Sequence, residues 1–88
     1  MIAKSIPDIV RNDIAKFAQR SAVTDGQPLG SGKDGLNISH QGFVFLAQTL
    51  RAFMLHENPA TKGISTKDLE KDRVTVGDAI DLVKAGLK

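Results

Sequence analysis

Residues 39–56, SHQGFVFLAQTLRAFMLH, decide the fold. Ser39 suits a helix N-cap, because its hydroxyl can accept a backbone N–H that the first turn leaves unpaired. Behind it, Val44, Leu46, Ala47, Leu50 and Met54 recur at helical spacing and form the expected core stripe. Phe43, Phe45, Ala52, Phe53 and Leu55 then make the segment apolar almost all the way round. Such a helix is either central to its domain or turns a second apolar face to a partner. Gln48, Thr49 and Arg51 interrupt the run, which is too short to span a bilayer.

Upstream, Ser5 can cap a first helix, with Pro7 in its first turn and Asp8 placed to complement the helix N-terminus. Ile6, Ile9, Val10, Ile14 and Phe17 supply one buried stripe. From about Ser21 to Asn37 the periodicity is lost, and Gly26, Pro28, Gly30, Gly32 and Gly35 crowd together. This predicts a long loop, functional or partly mobile, with Leu29 and Leu36 as its anchors to the core. Downstream, Ser65 precedes Asp68 by three, which predicts a short helix over Thr66 to Lys71. Thr75 precedes Asp78 in the same way and opens a last helix striped by Val76, Ala79, Ile80, Val83 and Leu87. With no β-alternation anywhere, the expected fold is all-α: a small four-helix bundle with a long first connection.

Composition limits the function. Eighty-eight residues make a single domain over 1–88, since domains typically span about 50 to 250 residues. The absence of cysteine excludes a disulfide scaffold and thiolate metal sites. No Trp, no Tyr and only four Phe leave little for stacking single-stranded nucleic acid. The net charge is +2 and the cations are dispersed, which permits but does not recommend a small DNA-associated or regulatory helical protein. No apolar stretch of secretory type follows the first Lys, so a soluble cytoplasmic domain with no membrane partner is the expectation.

Three strings then point to a family. The tail ISTKDLEKDRVTVGDAIDLV resembles the third and fourth helices of acyl carrier proteins, and the opening IVRNDIAKFA resembles their first. LNISHQGFVFLAQTL is similar to their signature segment, written L-G-I-D-S-L and followed by an amphipathic helix. Leu36, Asn37 and Ile38 fill its first three places. The resemblance covers nearly the whole chain and implies a four-helix carrier fold. It also implies 4′-phosphopantetheine on the signature serine, in service of a biosynthetic pathway.

The chemistry departs from that pattern. The register that keeps every buried place puts His40 on the attachment position and Ser39 on the family's Asp. Imidazole cannot replace the hydroxyl that forms the phosphodiester. A shift of one residue puts Ser39 on the attachment place, but Thr49 then replaces a buried leucine and Ile38 the capping acid. The family also shows an acidic second helix to its enzymes. Here that helix has no acid before Glu57, carries Arg51, and has Phe45 where the family generally exposes Glu. A drier contact is therefore expected, with Phe43, Phe45, Gln48, Ala52 and Leu55 meeting another protein or a second copy. The alternative is that the long loop, through Pro28 or Leu29, covers this face.

Other chemistry finds little footing. His40 and His56 are sixteen residues apart, about 24 Å along one helix, so no single metal bridges them. GQPLGSGKDG lacks the Walker spacing, since Gln27 stands where the first Gly is needed and Asp34 follows Lys33. Ser31 and Ser39 have no orienting acid in the sequence pattern, and no catalytic residue is predicted.

Overall fold

The computed structural model describes residues 5–71 and 73–87, and within them the chain is helical with no strand. In chain order the helices are α1 (Ile6–Ala18), α2 (His40–Glu57), α3 (Thr66–Glu70) and α4 (Val76–Gly86). Each starts where a capping side chain is available. Ser5, Ser39, Ser65 and Thr75 accept from the backbone N–H of Asp8, Gly42, Asp68 and Asp78 respectively. Asp68 and Asp78 also reach back to the N–H of Ser65 and Thr75, closing two capping boxes.

The core is a single cluster to which every helix contributes. Val10 and Ile14 of α1, Leu46, Leu50 and Met54 of α2, Leu69 of α3, and Val76 and Val83 of α4 are fully buried. No described polar or charged residue is buried with them, so burial of apolar surface is the main favourable term. α2 packs against α1, α3 and α4, and α1 also packs on α4. The helix that is apolar nearly all round is thus the central one.

The first connection is more tightly fastened than a glycine-rich stretch suggests. Leu29 and Leu36 are buried as anchors. The Leu29 N–H donates to the Val74 carbonyl at 2.9 Å, Val76 to Gln27 at 3.0 Å and Gly77 to Asp25 at 2.8 Å. Within the loop, Leu36 donates to Pro28 at 2.9 Å and Ile38 to Leu29 at 3.1 Å. These bonds satisfy backbone groups that a loop crossing the core would otherwise leave orphaned. Arg11 adds a two-pronged clamp, Nε to Asp25 Oδ1 at 2.7 Å and Nη2 to Oδ2 at 3.0 Å. The long loop is thus a strap, laced by backbone bonds to the start of α4 and clamped to α1 through Arg11.

The facing of α2 needs correction. Phe43, expected on the outward face, is 4% exposed and belongs to the core, while Val44, expected in the core stripe, is half-buried. The reason is rotational. With about 100° per residue, Phe43, Leu46, Ala47, Leu50 and Met54 all fall within roughly 60° of one direction. Val44 lies about 100° from Phe43, at the edge of that stripe. Phe53 packs partly against the core.

Candidate functional site

Opposite the buried stripe, α2 leaves a row of side chains in solvent. Phe45 is 47% exposed and Leu55 45%, and Gln48 and Ala52 between them are exposed too. Ten residues of helix put Phe45 and Leu55 about 15 Å apart along the axis. Four of the five residues expected to meet a partner therefore share one outer strip, and Phe43 does not. The strap does not cover that strip. Its Pro28, Gly30 and Ser31 instead line a small pocket of 160 Å³ with Phe43, Glu70, Lys71 and Arg73.

At the start of α2, Ser39 lies just before the first turn, where its Oγ accepts from the Gly42 N–H at 3.1 Å. A Cβ at position 42 would come within 2.9 Å of the Ile38 side chain, so glycine there lets the cap close. His40 is the first residue of α2, with its side chain 73% exposed. Its Nδ1 faces both carboxylate oxygens of Glu70, at 2.8 and 3.0 Å. An ionised carboxylate only accepts, so Nδ1 is the donor. The pair ties the start of α2 to the end of α3. Sequence reasoning missed Glu70, and no local signal links residues thirty positions apart.

Beside the strip, α2 and the α3 region form an open groove of about 350 Å³. Val44, Ala47 and Ile64 give it apolar walls, Gln48, Ser65 and Thr66 give it hydroxyl and amide groups, and Arg51 and Lys67 supply its charge. A Cβ at Gly63 would lie 3.0 Å from Cγ of Arg51, so the Arg51 stem runs over that glycine toward the groove. A second groove, of about 440 Å³, lies between the α3 region and α4 and contains Asp68, Asp78, Asp81 and Leu82. Two of its carboxylates are already engaged in capping boxes. The Ser65 backbone N–H, helped by the Ser65 hydroxyl, holds the Asp68 carboxyl below the ordinary carboxylate range. Among the described residues, no three His, Asp or Glu side chains gather into a group that could hold a metal.

Fold and site together define a small helical bundle in which, among the described residues, one strip of α2 with Phe45 and Leu55 at its ends stays exposed. No helix among the described residues is long and apolar enough to cross a membrane. Compared with known proteins, the chain matches no family model, no curated protein and no solved structure.

Proposed function

We propose that the chain is an acyl-carrier-like module that works by binding another protein through α2, without a loaded prosthetic group. The observation that carries this reading is the exposed strip of Phe45, Gln48, Ala52 and Leu55, with a large apolar side chain at each end, on the helix at the centre of the bundle. The order of helices, with a long connection before α2 and a short helix before α4, supports the carrier-like part.

The start of α2 fits phosphopantetheine poorly. The first helical position carries imidazole, and the Glu70 carboxylate against it would repel a phosphodiester. Ser39 already has a structural task as the cap. In this reading the protein has no catalytic residue, and its function is recognition.

One observation favours a second reading. The Ser39 hydroxyl is exposed beside the helix start, where a transferase could reach it, so a working carrier loaded on Ser39 is the alternative. Incubation with coenzyme A and a broad-specificity phosphopantetheinyl transferase, followed by intact mass measurement, separates the two. The expected spectrum is unchanged. A gain of the phosphopantetheine mass that disappears in Ser39→Ala overturns the unloaded reading.

A further inference from the structure

Building on the proposed α2 docking, we infer that the partner presents an acidic amphipathic helix, its apolar stripe on Phe45 and Leu55 and its carboxylates on Arg51 and Lys67. The charge around the site carries this. The groove beside the strip contains two cations and no carboxylate. Neither Arg51 nor Lys67 forms an ion pair among the described residues. The nearby acids are engaged elsewhere: Asp68 in the α3 capping box, Glu70 on His40. Two uncompensated cations on the rim of an apolar channel favour carboxylates spaced along the edge of an incoming helix.

A second copy of this chain fits less well. Two copies meeting through this strip would bring the Arg51 and Lys67 of one protomer toward those of the other, like charge against like charge. A copy of α2 would also bring Arg51 and no acid before Glu57 to the cationic groove. A negatively charged bilayer would match the charge, but a flat surface cannot fill a channel walled by Val44, Ala47 and Ile64.

The test uses two synthetic peptides of about five helical turns with the same leucine stripe. One carries Glu at the positions flanking the stripe, the other Lys. Binding is read by fluorescence anisotropy with the full chain, alongside co-sedimentation with phosphatidylglycerol vesicles. The Glu peptide should bind about tenfold tighter than the Lys peptide at low salt, with the gap closing as salt rises. Arg51→Glu combined with Lys67→Glu should reverse the preference. Both side chains are exposed, so circular dichroism should show an intact fold. Equal binding of the two peptides, preference for the Lys peptide, or binding to vesicles alone overturns the inference. Phe45→Ala with Leu55→Ala separates this from the parent reading. If the Lys peptide is preferred and that variant releases it, α2 docking stands and only the acidic partner falls. If the variant leaves peptide binding untouched, α2 docking falls as well.

Discussion

Two phenylalanines two residues apart should respond in opposite ways to truncation. At about 100° per residue, positions 43 and 45 are roughly 200° apart around α2, so one enters the core as the other leaves it. Phe43 is 4% exposed, and Phe43→Ala should cost about 3–5 kcal/mol, the usual range for emptying a buried aromatic site. Phe45 is 47% exposed, so Phe45→Ala forfeits about half of the 1.5–3 kcal/mol of a full burial, or about 1 kcal/mol. For a domain this small, each kcal/mol moves Tm by about 4–8 °C. Phe45→Ala should therefore lower Tm by several degrees and Phe43→Ala by at least about 12 °C. The chain has no Trp or Tyr, so far-UV circular dichroism under urea is the suitable probe. The midpoints should separate while the denaturant slope stays constant. Losses at Phe45→Ala as large as at Phe43→Ala would mean that α2 is rotated and Phe45 is core. The outer strip would then lose its anchor, and with it the docking proposal.

Acid should weaken the fold through two carboxylates. The Arg11 guanidinium, by its hydrogen bonds to Asp25, holds that carboxyl below the ordinary range, and the Ser65 N–H does the same for Asp68. A lowered folded-state value favours the folded protein at all pH above the ordinary aspartate range, and the benefit is lost as pH falls through the lowered values. Urea midpoints should hold steady near neutrality and fall in acid, with a shallower fall in Asp25→Asn; an unchanged slope in that variant would refute the role given to the clamp. The strap can be tested at a glycine. A Cβ at Gly35 would collide with the Gly30 carbonyl oxygen and crowd the backbone of Ser31 at 3.1 Å and Gly32 at 3.2 Å. Gly35→Ala should cost about 1–3 kcal/mol, as overpacking does. Gly26→Ala, with nothing within 4 Å, should stay within about 0.5 kcal/mol, and equal effects would refute the tight approach.

The helix starts were legible because each is written in a few adjacent residues. Ser5, Ser65 and Thr75 each stand three before an Asp, and the hydroxyl–N–H bonds follow from that spacing. Leu29 and Leu36 were legible as anchors because they are the large apolar residues in a stretch of glycine and polar residues. The facing of α2 was not. When both sides of a helix are apolar, Phe43 and Val44 compete for the inner stripe, and only the positions of α1, α3 and α4 decide between them. The lacing of the strap was equally hidden, since it runs through backbone groups that every residue possesses. Glu70 escaped notice because its link to His40 spans thirty residues and depends on where α3 ends.

What α2 leaves exposed follows from how it is surrounded. Its neighbours α1, α3 and α4 can cover only the sides they touch, and the strap crosses at Phe43, close to where α2 begins. The strip from Phe45 to Leu55 is the remainder. Folding places little demand on the residue types there: Ala52 and Gln48 are both accommodated, and a Glu at position 45 would find water rather than core. Internal packing accounts for only about half of Phe45 and of Leu55 at its two ends, and no ion pair among the described residues accounts for the cations beside them. A surface with apolar ends and uncompensated positive charge along one side is better matched by a separate acidic, apolar-striped helix than by any described part of this chain. Phe45→Glu brings the point to a single residue. The variant should fold with a loss near that of Phe45→Ala and yet release the Glu-flanked peptide, because the new carboxylate removes the anchor and repels the partner's acids. Retained binding would place the contact somewhere other than the outer face of α2.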